Sequence, residues 1–243
     1  DTVIIHSDGK VGVITQTGSA DPSAGTAVVF ESAQSSYFSP VYDSANGKVV
    51  IAYRDQGNSG YGTVIVGTVS GTSISFGSAV VFESGNTSQI SATYDSTNEK
   101  VVIAYRDDSN SDYGTAIVGT VSGTSISFGS AVVFESAQSS YISAVYDSSN
   151  SKVVIAYEDN GNSNYGTAIV GTVSGTSISF GTAVVFESAA TDYISATYDS
   201  TNGKVVIAYQ DDGNSSHGTA VVGTVSGTSI SFGTPVVFES ASS

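Results

Sequence analysis

The chain has 243 residues and a formal net charge of −15, with 7 Lys and Arg against 22 Asp and Glu, too few cations for the patch that a nucleic acid or an anionic membrane surface demands. It has no Cys, which excludes disulfides, thiol catalysis and cysteine-held metals, and no apolar run approaches the roughly 18 residues of a membrane span. Hydrophobic residues reach 40%, with 14 Tyr and 10 Phe, and charged residues only 12%; that is core-forming material under a surface of small and hydroxylated side chains.

The chain opens at Asp1 with neither Met nor an apolar signal segment, and is expected to be a processed product or a fragment. Its N-terminal stretch is legible only by alignment with the repeats downstream of it. Val-Val-Phe-Glu recurs at Val28–Glu31, Val80–Glu83, Val132–Glu135, Val184–Glu187 and Val236–Glu239, a period of 52 residues, and Tyr-Asp recurs with the same period at Tyr42, Tyr94, Tyr146 and Tyr198. A twelve-residue segment is repeated without change at Val66–Gly77, Val118–Gly129, Val170–Gly181 and Val222–Gly233. Such self-similarity defines the architecture before any local reading.

Each unit predicts four strands and no helix, because β-branched and aromatic residues cluster between turn residues. In the third unit strand A is Tyr141–Tyr146, strand B Lys152–Tyr157, strand C Thr167–Val173 and strand D Ser177–Glu187. Asp-Ser-x-Asn-x-Lys marks a tight A–B hairpin, and Ser-Gly-Thr marks the C–D turn. Strands B and C are apolar almost continuously, the pattern of strands covered on both faces. A four-stranded antiparallel sheet, repeated and covered on both sides, predicts the blades of a β-propeller. An open stack satisfies the same pattern but exposes apolar end faces, so ring closure is the expectation.

The expected fold is therefore all-β: one propeller domain of five blades, spanning 1–32 as a degenerate first blade, then 33–84, 85–136, 137–188 and 189–243. The alternative is four blades with an N-terminal appendage. A gap-free alignment makes Thr2–His6 strand B and Val11–Gly25 strand C with its turn. A competing one, aligning Lys10 with Lys48, makes Thr2–Ser7 strand A and Lys10–Thr17 strand B.

The unit Ile-Ser-Ala-x-Tyr-Asp-Ser-x-Asn-x-Lys-Val-Val-Ile-Ala-Tyr, continued by Gly-Thr-Ala-Ile-Val-Gly-Thr-Val, resembles propeller repeats of the sialidase-like and BNR-like type over nearly all of residues 26–243. It resembles still more the repetitive units of secreted or virion-associated proteins of marine bacteria and phages, tail-fibre-like proteins among them. The resemblance implies an extracellular or virion-surface location, with neighbouring appendage subunits as potential partners. It does not imply sialidase activity, which needs an arginine triad where this chain has only Arg54 and Arg106. Fold by itself does not give function.

Candidate chemistry lies where the copies differ. The end of strand B holds Arg54, Arg106, Glu158 and Gln210. The B–C loops begin with Asp55, Asp107, Asp159 and Asp211, continue to Asn58, Asn110, Asn162 and Asn214, and end at Tyr61, Tyr113, Tyr165 and His217. The D–A segments bring Tyr37, Tyr141 and Tyr193. A fixed framework with a varied polar and aromatic rim is a plan for ligand recognition, and Tyr beside Asp and Asn suits sugar rings with apolar faces and hydroxyl edges. The rim is thus expected to make the chain a non-enzymatic, multivalent binder of surface glycans. A structural spacer is the alternative of a different class, and a glycoside hydrolase the third. Asp107, Asp112, Asp159 and Asp211 are candidate calcium ligands, with turn capping as the competing role; no other cofactor is expected. Asp43, Asp95, Asp147, Asp199 and the glutamates of Val-Val-Phe-Glu offer no distinguished catalytic pair, since identical repeats give near-identical environments.

Overall fold

The computed structural model describes residues 2–5, 11–14 and 25–240. Thr2–Ile5 (β1) and Val11–Ile14 (β2) pair antiparallel with each other in a separate two-stranded sheet. One alignment of the N-terminal stretch makes these two strands B and C and the other makes them A and B, and an antiparallel pair satisfies both; His6 and the rest of 6–10 and 15–24 lie outside the described residues.

The remaining seventeen strands follow one another in chain order as a single open antiparallel sheet, folded into four stacked layers. The first layer contains Ser35–Asp43 (β3), Lys48–Asp55 (β4), Tyr61–Ser70 (β5) and Ser73–Phe76 (β6), and is completed by the first half of Val80–Asp95 (β7). The second half of β7 leads the next layer, with Lys100–Asp107 (β8), Tyr113–Ser122 (β9) and Ser125–Phe128 (β10). Val132–Asp147 (β11) opens the third, with Lys152–Asp159 (β12), Tyr165–Ser174 (β13) and Ser177–Phe180 (β14). Val184–Asp199 (β15) opens the fourth, with Lys204–Asp211 (β16), His217–Ser226 (β17), Ser229–Phe232 (β18) and Val236–Glu239 (β19). No helix among the described residues is long and apolar enough to cross a membrane.

Two expectations are corrected here. Strand D is not continuous: β6, β10, β14 and β18 pair with the last residues of the third strand, and the chain then breaks before Val-Val-Phe-Glu pairs with its first residues. Nor are the D–A segments loops, since β7, β11 and β15 run straight through them, sixteen residues each. The expected unit boundaries at 84/85, 136/137 and 188/189 fall inside these strands, close to where each passes from one layer to the next.

The closed ring is the larger correction. Strand order is sequential and open, with no hydrogen-bonded ladder among the described residues joining β17 or β19 back to β3 or β4, so neither a five-bladed nor a four-bladed propeller forms. The argument for closure rested on the cost of bare end faces, and that cost is reduced locally. Phe30 packs edge-on against Tyr53 at 5.3 Å on the first layer's outer side, the place Phe82 takes against Tyr105 one layer on, and Tyr53 and Ile65 are buried.

The core lies between layers. One face of each layer carries small residues and packs on the large-residue face of the next: Val50, Ala52, Val64 and Val66 meet Ile103, Tyr105 and Ile117. The same pairing recurs as Val102, Ala104, Ala116 and Val118 with Ile155, Tyr157 and Ile169, and as Val154, Ala156, Ala168 and Val170 with Ile207, Tyr209 and Val221. Interior strands are thus apolar on both sides because both sides are core. Hydrogen bonds fasten the stack: Ser39, Ser91 and Ser143 Oγ accept the backbone N–H of Ala92, Ala144 and Ala196 at 2.8, 3.0 and 3.0 Å.

Candidate functional site

The first strand of every layer carries a bulge on the side of the stack where the B–C connections emerge. Ser88 pairs with Arg106 and Ser91 with Ala104, so Gln89 and Ile90 together oppose Tyr105; the other three layers repeat the pattern. The first bulge residue is Tyr37, Gln89, Tyr141 or Tyr193, with φ of 53, 52, 49 and 51°. That left-handed geometry is normally left to Gly in a bulge of this kind and strains a bulky side chain. Its second residue, Ile90, Ile142 or Ile194, turns into the core.

The four bulges form a column across the layers. The Tyr141 N–H donates to Gln89 Oε1 at 3.2 Å, and the Tyr141 and Tyr193 ring centroids lie 5.3 Å apart. Tyr37 and Tyr193 are exposed and Tyr141 half-buried. Three of these residues were expected at the rim. Gln89 was not, because only its backbone geometry equates it with the tyrosines; its 52-residue spacing is the signal that finds it.

Beside the column stand Arg54, Arg106, Glu158 and Gln210, paired across the bulge with Ser36, Ser88, Ser140 and Asp192. Their charge changes along the stack. Arg54 Nε is buried without a hydrogen-bond partner, whereas Arg106 Nε donates to Asp108 Oδ1 at 2.8 Å, with Asp112 at 3.7 Å. Asp108 also accepts from Ser88 Oγ at 2.7 Å and from Asn86 Nδ2 at 3.1 Å. The far end is acidic. Burial, then Asp192 and Asp212, pushes the Glu158 carboxyl up to about 7, and burial followed by Asp212 raises Asp192, against a hydrogen bond from Tyr141. Asp192, another residue that strand patterning does not single out, joins Glu158 to Tyr141.

The aspartates heading the B–C connections have a different occupation. Asp55, Asp107 and Asp159 are buried and cap the following turn. Asp55 accepts from Asn58 N at 3.1 Å, Asp107 from Ser109 and Asn110 N at 3.1 Å each, and Asp159 from Gly161 and Asn162 N at 3.0 and 3.2 Å. Asp211 holds the same place without a side-chain cap bond. Asn58, Asn110, Asn162 and Asn214 sit exposed on these turns. Tyr61, Tyr113, Tyr165 and His217 begin the third strands, half-buried. Each pairs across the sheet with the capping aspartate, one strand away from the bulge column. Among the described residues no three His, Asp or Glu side chains are grouped so as to hold a metal ion.

The remaining repeated carboxylates are engaged structurally. Asp43, Asp95 and Asp147 are buried in the A–B hairpins, each accepting two backbone N–H groups and an Asn side chain, as at Asp95 from Thr97 N, Asn98 N and Asn98 Nδ2. Glu83, Glu135 and Glu187 accept the hydroxyls of Tyr105, Tyr157 and Tyr209 at 3.1 Å. At the column's outer end, Tyr193, Gln210, Ala208 and Phe238 line a cleft of about 550 Å³ on the free face of the last layer.

No protein-family model matches this chain, and comparison with curated proteins found no relative.

Proposed function

We propose that this chain is a non-enzymatic recognition module, acting outside the cell or on a virion, that binds a repetitive surface glycan along the bulge column. The supporting observation is the left-handed conformation of Tyr37, Gln89, Tyr141 and Tyr193. A bulky residue at φ near +50° costs on the order of 1–3 kcal/mol, and Gly would occupy the same bulge at ease. Flat rings with hydroxyl handles, displayed on successive layers beside a polar row, suit a chain of sugars whose units stack and hydrogen-bond in turn. Each contact is weak, and a repetitive ligand engages several at once. Arg54 and Arg106 at one end and Glu158 and Asp192 at the other give the column a direction. No catalytic residue is proposed.

The test is a bacterial polysaccharide panel read by glycan array and saturation-transfer NMR, with Tyr141→Gly and Tyr193→Gly as variants. Each substitution is expected to weaken binding by roughly 3- to 10-fold, the equivalent of one aromatic stacking contact, while the melting temperature holds or rises as strain is released. Undiminished binding by the double variant removes the column as the site. Absence of binding across the panel removes the reading and leaves the structural spacer, which the regular interlayer hydrogen bonds also suit.

A further inference from the structure

We infer that the first layer holds a carboxylate site centred on Arg54, so that the sugar unit bound there is a uronic acid. This deepens the proposed function and rests on it for the sugar, while the carboxylate rests on a comparison of layers. In the second layer Ser88 Oγ and Arg106 Nε both donate to Asp108 Oδ1, at 2.7 and 2.8 Å, and Asp112 stands 3.7 Å from the same guanidinium. The first layer keeps both donors, as Ser36 and Arg54, paired across the bulge in the same way. It lacks both carboxylates, since Gln56 replaces Asp108 and Gly60 replaces Asp112. Gln56 is exposed, and Ser36 Oγ and Arg54 Nε are buried with no hydrogen-bond partner among the described residues, a pairing of orphans that calls for an acceptor.

The other two layers satisfy these positions from within the chain. Ser140 Oγ donates to Asn160 Oδ1 at 3.2 Å and Asn160 Nδ2 to Asn164 Oδ1 at 3.1 Å, and in the last layer Ser216 Oγ donates to Asp212 Oδ1 at 3.0 Å. Gly60 alone brings no side chain to the place of Asp112, Asn164 and Ser216. That place faces the guanidinium: a Cβ built on Gly60 would lie 3.0 Å from Arg54 Nε, with Asn86 Oδ1 against the same point. Asn86 Oδ1 is likewise buried without a partner, its amide nitrogen being taken by Asp108. The first layer thus offers two donors that suit a carboxylate and, beside them, one acceptor that suits a hydroxyl. Arg54 is only half-buried, which lets a carboxylate meet its fork in a charge-assisted pair, and exposed Tyr37 follows Ser36 to take the face of the ring. A uronic acid carries the carboxylate and a hydroxyl on one ring. Arg106 offers no second such site, because the chain's own aspartates hold it.

The contrast between the two arginines supplies the experiment. A proton–nitrogen NMR spectrum gives each of them one Nε–H signal, and Arg54→Lys assigns the pair. Titrations are run at about 0.15 M salt, where the −15 charge of the chain is screened beyond about 8 Å. Galacturonate is expected to move the Arg54 signal saturably and to leave Arg106 in place; galactose is expected to move neither, and galactose 6-sulfate to act more weakly than galacturonate. Oligogalacturonate is expected to bind about 10-fold more tightly than its carboxyl-reduced form, a preference that Arg54→Gln removes. Gln56→Asp restores the carboxylate of the second layer. With circular dichroism confirming its fold, it is expected to shift the Arg54 signal without ligand and to abolish the response to galacturonate. An Arg54 signal unmoved by galacturonate, an equal response to the sulfate, or equal binding of the two oligomers overturns the inference. The column is read separately. Loss of binding to both oligomers in Tyr141→Gly and Tyr193→Gly, with a silent Arg54, keeps the column and removes the carboxylate site; an Arg54 response with oligomer binding untouched by those variants keeps the site and removes the column.

Discussion

Glu158 occupies a position held elsewhere in the chain by Arg and Gln, and its surroundings make it a poor place for a charge. It is 5% exposed, and Asp192 and Asp212 add to the effect of burial, lifting its carboxyl from 4.5 to about 7. Its folded-state value thus lies above its unfolded one. The contribution to stability is fully present below the unfolded value and disappears as pH rises through about 7, because the folded chain holds a proton that the unfolded chain has released. Glu158→Gln keeps the shape and removes the titration. The variant is expected to match wild type in melting temperature near pH 4.5 and to exceed it near pH 8; a difference independent of pH would count against this account. At this scale the sequence was informative about position, since 54, 106, 158 and 210 differ among otherwise matching repeats. It was uninformative about environment, because the acidity around Glu158 comes from Asp192 and Asp212, residues of the next layer. The role of Asp55, Asp107 and Asp159 was visible only as two options, ligand or cap, and their backbone hydrogen bonds give them the second.

The strands most readily recognised from sequence are the second and third of each layer, whose unbroken apolar runs match β8, β9, β12 and β13 within a few residues. The first and fourth strands were less legible for a physical reason. One sixteen-residue strand serves two layers, giving up its hydrogen bonds to the third strand of one and taking up those of the second strand of the next, and local composition does not mark that exchange. Nor does it mark the bulge, which adds a residue without a turn residue to announce it. What does repeat in the sequence is the serine two residues after each bulge tyrosine or glutamine. Ser91 Oγ accepts the N–H of Ala144 at 3.0 Å across the layer boundary, and Ser91→Ala leaves that N–H, which lies between layers, without its acceptor, at a cost of about 1–3 kcal/mol. Ser195, exposed in the last layer, has no following layer to hold. Ser195→Ala is expected to change stability by less than about 0.5 kcal/mol. Chemical denaturation of the two variants reads the difference, and equal losses would mean that the interlayer bond is not what the serine provides.

The repeat told a reader that each layer needs a neighbour on both sides, but not the rotation from one layer to the next, and it is this rotation that decides between a ring and an open stack. Periodicity carries no information on it, and the end faces seemed to demand closure only so long as Phe30 was not seen folding over Tyr53. In an open stack, stability is the sum of layers and of the interfaces between nearest neighbours, so the same side chain has a different weight according to its place. Val170 is at 0% exposure between the third and fourth layers, and Val222, its counterpart one unit on, is at 47% on the free face. Removing two methyl groups from a closed interface forfeits burial and leaves a cavity, so Val170→Ala is expected to cost about 2 kcal/mol. Val222→Ala, on the free face, is expected to cost less than about 0.5 kcal/mol. A closed arrangement, in which every layer has two neighbours, would make the two substitutions equivalent. The ratio of the two losses in urea unfolding therefore reads the openness of the stack directly, without a measurement of shape.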